Sequence, residues 1–156
     1  MDLRRVIGAG LIASVVMGMV EMIYEAVAGA GFWSPMVFIG ATILRGLQSV
    51  PVPVSFVFWG VVFGLAGHMM NSVIFGLIFT WITARTSLSR RGLVVGGIVY
   101  AVAVFVIMWF VIIPLIDPVM LKLHGTVFAI SHVMWGAALG LIVPQPSGAA
   151  AQLRTA

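Results

Sequence analysis

Cysteine is missing from this sequence and charge is scarce, with only four acidic and eight basic residues among 156. Without cysteine the chain has no disulfides, thiolate metal sites or cysteine nucleophiles. Charged residues make up 8% of the chain, against about 25% in soluble domains, which excludes a soluble globule. The hydrophobic content of 62% excludes intrinsic disorder. The net charge of +4 comes from scattered basic residues, so a nucleic-acid partner is not expected.

What the chain has instead is a set of four long apolar stretches. A helix needs about 20 apolar residues to cross the roughly 30 Å hydrocarbon layer. The sequence therefore predicts an all-α membrane protein with one integral domain over residues 1–156. The predicted spans cover residues 6–28, 54–84, 93–116 and 126–143. The first span has some features of a secretory signal, but two glutamates precede the cleavage-like position, so we expect it to be retained.

Basic residues predict the orientation. A cytoplasmic N-terminus places six of the eight basic residues on the cytoplasmic side, and this bias puts both termini inside. The six are Arg4, Arg5, Arg85, Arg90, Arg91 and Arg154, which leaves Arg45 and Lys122 outside.

The segment between the first two spans predicts an additional short helix over residues 35–47. Ser34 offers a hydroxyl N-cap, and Pro35 follows at the first helical position. The segment is mostly apolar with polar residues gathered on one side, which is typical of a helix lying on the outer membrane surface. Those polar residues are Thr42, Arg45 and Gln48.

The second and fourth spans share a pattern. Each has a histidine, His68 or His132, followed by Met at the second position and by Gly-Leu-Ile at the eighth to tenth. The chain then forms two hairpins of like orientation, as parallel-repeat membrane proteins do. Small residues one turn apart mark helix faces that pack closely in lipid. The predicted helix-packing residues are Gly60, Gly64, Ser72, Gly76, Gly136 and Gly140.

Polar side chains within the spans mark the region where function would lie, because they are costly in hydrocarbon. Glu21 and Glu25 are one turn apart and share a helix face, and Glu21 lies near the depth of His132. The predicted intramembrane polar cluster is Glu21, Glu25, His68, Asn71 and His132.

Several roles fit such a cluster. It can fix helix packing, with Glu21 bonded to a histidine. It can relay protons or admit a small substrate through Glu21, His68 and His132. His68 and His132 can also hold haem b or another metal between them. Catalysis is not expected, because the sequence has no nucleophile–base arrangement and no phosphate-binding glycine loop.

The run from Gly31 to Pro35, after a glycine-rich first span and before two histidine-bearing spans, resembles a group of small bacterial four-helix membrane proteins. The likeness covers most of residues 6–144 and implies the four-span topology and a bacterial inner membrane, but no activity. We therefore expect an accessory or structural subunit or scaffold within a membrane complex, and the sequence assigns it no cofactor, with haem b left open. Its partners would be the bilayer and other membrane subunits or further copies of itself. A small transporter or proton-conducting oligomer is the alternative, and a haem-binding electron carrier is the third.

Overall fold

The computed structural model describes residues 2–146, and within this range all regular secondary structure is helical. Four helices are long and apolar enough to cross a membrane, as predicted. These are the first span α1 (Leu3–Ala28), the second span α3 (Phe58–Thr83), the third span (Arg90–Ile116) and the fourth span α6 (Gly125–Ile142).

The third span is irregular. It begins as α4 (Arg90–Ile107), continues as a π-helical segment (Met108–Ile112) and ends as α5 (Ile113–Ile116). Pro114 has no amide proton to donate four residues back, which interrupts the α-helical hydrogen-bonding pattern at this point. Single π-helical turns often occur at functional sites, and this one faces the cleft described below.

The helix predicted over residues 35–47 is divided in the structure. Helix α2 (Ser34–Gly40) is followed by turns and a 3-10 helix (Arg45–Ser49). Ser34 lies inside α2, and its buried hydroxyl caps nothing. The helix packs tightly on the second span, because a Cβ at Gly64 would lie 1.8 Å from the carbonyl oxygen of Met36. Its place at a membrane surface stays a prediction.

Contacts place the four spans in the order second, first, fourth, third. The third and fourth spans pack closely, as do the fourth and first, and the first and second. The second and third spans are neighbours in sequence but touch very little. The bundle is therefore open along one side.

Basic residues gather at the end of the bundle where the first and third spans begin and the second and fourth spans end. Arg90 donates hydrogen bonds to the carbonyls of Gly140 and Val143, at 3.0 and 2.7 Å, and so caps the end of α6. Exposed at this end are Arg4, Arg5, Arg85 and Arg91. Arg154 lies outside the described residues, and the cytoplasmic location of this end stays a prediction.

Candidate functional site

The gap between the second and third spans forms a cleft of about 230 Å³. Its walls are mostly apolar and aromatic, and they include the π-helical segment of the third span. The polar side chains that line it are Thr42, His68, Asn71, Ser72, Asp117 and His132. Three of the five residues of the predicted polar cluster are thus together here: His68, Asn71 and His132.

The two histidines each use one ring nitrogen to bond a backbone carbonyl. His68 Nε2 lies 2.9 Å from the carbonyl oxygen of Ser14 on the first span. His132 Nδ1 lies 2.7 Å from the carbonyl oxygen of Phe128 on its own helix. A carbonyl oxygen only accepts hydrogen bonds, so the proton is on Nε2 of His68 and on Nδ1 of His132.

Asn71 lies near the middle of the second span, and its side chain is exposed. Its amide forms no hydrogen bond with any other described residue, although it can both donate and accept. His132 is only 5% exposed, and it lines the cleft. The small exposed part of its ring is therefore accessible to a molecule in the cleft. The cleft therefore combines an apolar wall with polar groups whose hydrogen-bonding capacity is not filled.

Glu21 is close to the cleft but does not line it. Ser131, rather than a histidine, is its partner: the Ser131 hydroxyl lies 2.7 Å from Glu21 Oε1. The same hydroxyl lies 2.9 Å from the carbonyl oxygen of Phe128. Glu21 Oε2 is buried without a partner in the described part of the chain. The bond between Glu21 and a histidine, considered from sequence, is not formed because Ser131 occupies that position.

Glu25 has a structural role. Its carboxylate accepts hydrogen bonds from the backbone N–H groups of Ala30 at 2.5 Å and His124 at 3.2 Å. The side chain is 1% exposed. These bonds tie the turn after the first span to the start of the fourth, where an anion is favoured by the helix dipole. Glu25 is therefore separate from the cleft.

Two aromatic side chains close the cleft on the side nearer the basic end of the bundle. Trp135 Nε1 donates to the hydroxyl of Ser72 at 2.7 Å, and that hydroxyl donates to the carbonyl of Gly10 at 2.6 Å. The Tyr100 hydroxyl donates to the carbonyl of Phe75 at 3.1 Å. These bonds join the third and fourth spans to the second, so the opening does not continue toward the basic end of the bundle.

A set of contacts that we call the outer bridge closes the opposite end. Thr42 donates to Asp117 at 2.7 Å, and Gln48 also donates to this carboxylate. Arg45 donates to the carbonyl of Ile116 at 2.7 Å. Burial raises the pKa of Asp117, although the two donors and the nearby Arg45 act in the opposite direction.

Asp117 is a site residue that the sequence did not reveal. From sequence it predicts a helix start, and a 3-10 helix (Pro118–Lys122) does begin after it, but its side chain does not cap that helix. The available signal was the polar side of residues 35–47, whose three members all bond to the end of the third span or to the 3-10 helix that follows it.

The predicted small residues lie at contacts between helices. Gly136 and Gly140 on the fourth span lie against Gly97 and Leu93 of the third. On the second span, Gly76 lies near Gly10 of the first. Gly60 and Gly64 face α2, and Ser72 bonds Gly10. The partner glycines, Gly10 and Gly97, were not singled out from sequence, although each begins a pattern of small residues one turn apart, Gly10 with Ser14 and Gly97 with Ala101.

The cleft suits a small molecule better than a macrocycle or a metal ion. Its volume of about 230 Å³ lies below the roughly 300–1,000 Å³ of pockets for drug-sized ligands. A haem would therefore require the walls to move apart. Among residues 2–146, no three histidine or carboxylate side chains are grouped as metal ligands. Glu21 and Glu25 are each held by other partners.

Comparison with known proteins gives no match: no protein-family model fits the chain, and no curated protein or solved structure matches it. The argument for function therefore depends on the cleft and its polar groups.

Proposed function

We propose that the chain is an accessory protein of a bacterial inner membrane that binds a small membrane-dissolved molecule in the cleft between the second and third spans. The observation that carries this proposal is the unfilled hydrogen-bonding capacity of His68, Asn71 and His132 on an apolar wall. In hydrocarbon, unsatisfied polar groups cost several kcal/mol each, so such a wall favours a ligand that satisfies them.

The geometry favours binding over conduction. A proton leaving Glu21 would reach the Ser131 hydroxyl and then the Phe128 carbonyl, which has no proton to pass on. Toward the basic end, the spans are packed around a core that includes Ala13, Phe79 and Leu139. The cleft is therefore a pocket with one open side, and neither proton transfer nor substrate passage has a continuous route.

The size of the cleft also favours a small molecule over a helix of a partner protein. A helix with its side chains is about 10–12 Å across, which 230 Å³ does not accommodate. Partner subunits would instead contact the wide apolar faces of the four spans, where exposed residues such as Val95, Val99 and Leu115 lie. In this proposal, the chain joins a membrane complex through those faces and not through the cleft.

The finer topology belongs to the same proposal. Both termini lie in the cytoplasm, and the chain consists of two parallel hairpins related by a pseudo-twofold axis. Equivalent positions in the two hairpins support the repeat, since Ser72 contacts the first span and Gly136 contacts the third. A reporter fused after Ala84 should indicate a cytoplasmic location, and a periplasmic signal would contradict this orientation.

Mass spectrometry of the purified chain tests the proposal. An organic extract of the protein, purified in mild detergent, should contain a small molecule in roughly equal amount to the chain. Ile112→Trp, which fills the cleft, should abolish its retention. Val111→Trp adds the same side chain at the neighbouring exposed position outside the cleft and should retain it. Equal retention by the two variants would contradict the proposal.

A further inference from the structure

The hydrogen bonds of the two histidines determine what they offer to a ligand. Because His68 carries its proton on Nε2 and His132 on Nδ1, the nitrogens that remain are His68 Nδ1 and His132 Nε2. No carboxylate is bonded to either ring in the described structure, so an uncharged imidazole is the form that the apolar surroundings favour. In that form both remaining nitrogens are acceptors only.

The remaining nitrogens can be reached from the cleft. Fully buried side-chain nitrogen and oxygen atoms without a partner in residues 2–146 occur only at Ser14, Glu21 and Ser34. His68 Nδ1 and His132 Nε2 have no partner, so they are not fully enclosed. His132 lines the cleft and is only 5% exposed, so the part of its ring that a ligand can reach is reached from the cleft. A ligand that satisfies these nitrogens must bring a hydrogen-bond donor.

Asn71 complements this requirement. Its amide has an N–H group that can donate to the ligand's oxygen while that oxygen donates to a histidine. A hydroxyl is the smallest uncharged group that both donates and accepts. A ketone, an ether or an ester has no proton to donate and leaves both histidine nitrogens unsatisfied.

The walls favour an aromatic ring next to that hydroxyl. Phe75, Phe128 and Trp135 all line the cleft. The rings of Phe128 and His132 are already packed against each other, with centroids 4.4 Å apart. Aromatic rings gain from offset or edge-to-face contacts beyond the area that they bury.

We infer that the ligand carries a phenol-type hydroxyl, as in a phenol or a hydroquinone with an apolar tail, which donates to a histidine of the cleft. This inference rests on the proposed function, since it names the chemistry of the molecule bound there. The open side between the second and third spans lets an apolar tail extend into the lipid.

Quenching of Trp135 fluorescence tests the inference in nanodiscs. All other tryptophans are changed to phenylalanine, so that Trp135 alone reports on the cleft. The probes are 3-bromo-5-octylphenol and its methyl ether, which carry the same bromine and tail but differ by one hydroxyl proton. A chain that retains only Trp59, exposed outside the cleft, measures quenching by probe dissolved in lipid.

The phenol should quench Trp135 half-maximally at about a tenfold lower mole fraction than the ether, the ratio expected for about one buried hydrogen bond. Equal quenching by the two probes would overturn the hydroxyl inference and leave the proposed function standing. If neither probe quenches Trp135 more than Trp59, the proposed function is wrong as well. If 3-bromo-5-octylcyclohexanol quenches Trp135 as well as the phenol does, the inference that the ligand carries an aromatic ring is wrong.

Substitution of the acceptor gives an independent result on the same probes. Replacement of the histidine that accepts the hydrogen bond, by His132→Leu or His68→Leu, should reduce phenol binding to the level of the ether and leave binding of the ether unchanged. His124→Leu, at a histidine outside the cleft, should keep the tenfold preference. If His132→Leu does not fold, His68→Leu tests the other acceptor. A full preference retained without both histidines would contradict the inference.

Discussion

The contact between the first and fourth spans is closed, and the gap between the second and third spans is open. Polar side chains occur in both places, but their hydrogen-bonding capacity is filled to different extents. In the closed contact, Glu21 is bonded to Ser131, and Glu25 to two backbone N–H groups. In the open cleft, Asn71 has no partner among residues 2–146, and each histidine has one ring nitrogen unused.

If the chain consisted of two equivalent hairpins, the contact between the first and fourth spans would correspond to the contact between the second and third. One is closed and the other is open, so the difference has a local cause. Helix α2 packs on the second span, and the outer bridge then holds the end of the third span. The outer bridge thus joins the third span to the segment that packs on the second span, while the two spans themselves touch very little. Polar residues in this bundle therefore either hold two helices together or face the gap between two helices.

Glu25→Ala is expected to lower the free energy of unfolding more than any other substitution at the closed contact. It leaves the buried N–H group of Ala30 and the part-buried N–H group of His124 without an acceptor, so the free energy of unfolding should fall by about 3 kcal/mol. Denaturation in an SDS titration measures this. Glu25→Gln retains one acceptor oxygen and should lose about half as much, whereas equal losses would show that the carboxylate's bonds are not what matters.

Gly136→Ala tests the close packing of the third span on the fourth. A Cβ at this position would lie 2.3 Å from the carbonyl oxygen of Gly97, and overpacking of this kind costs about 2 kcal/mol. Gly8→Ala places a methyl group where nothing lies within 4 Å and should be neutral or slightly stabilising. Similar losses in the SDS titration would argue against the close contact.

A matched pair of polar substitutions sharpens the comparison directly. Ser131→Ala removes the partner of Glu21 in the closed contact and should cost about 1 kcal/mol. Asn71→Leu removes an amide without a partner and should be neutral or stabilising in the ligand-free chain. The comparison fails if Asn71→Leu destabilises the chain as much as Ser131→Ala does.

The smallest effect is a pH dependence at the outer end of the cleft. Burial raises the pKa of Asp117 above its usual value of 3.8, so the folded chain retains this proton at a pH where the unfolded chain has lost it. The free energy of unfolding should therefore fall as the pH rises through that interval, by about 1 kcal/mol or less. Asp117→Asn should remove this slope above pH 3.8, and an unchanged slope would exclude Asp117 as its origin.

Composition and periodicity predict the four long helices well, because a bilayer requires about 20 apolar residues for each span. They do not predict which spans meet. Consecutive spans usually pack together, but the second and third touch very little and are linked at one end by the outer bridge. The prediction of a single helix over residues 35–47 is wrong in length, because the helix ends at Gly40. The polar side chains that follow it bond to the end of the third span and to Asp117.

The candidate site was predicted in part. His68, Asn71 and His132 stand out because polar side chains are rare within apolar spans. Glu21 and Glu25 stand out by the same rule, although their partners place them outside the cleft. Ser131 and the carbonyl of Phe128 carry no sequence signal, since any helix offers hydroxyls and carbonyls, and only the relative rotation of the helices selects these.

The outer bridge has a consequence for the order of assembly during synthesis. Thr42 and Asp117 are 75 residues apart, and Arg45 and Ile116 are 71 apart. Thr42 and Arg45 therefore leave the ribosome well before Asp117 and Ile116, and they lack these partners until the third span has been made. The outer bridge can therefore form only after the third span is complete, which makes it a late step in the assembly of the bundle.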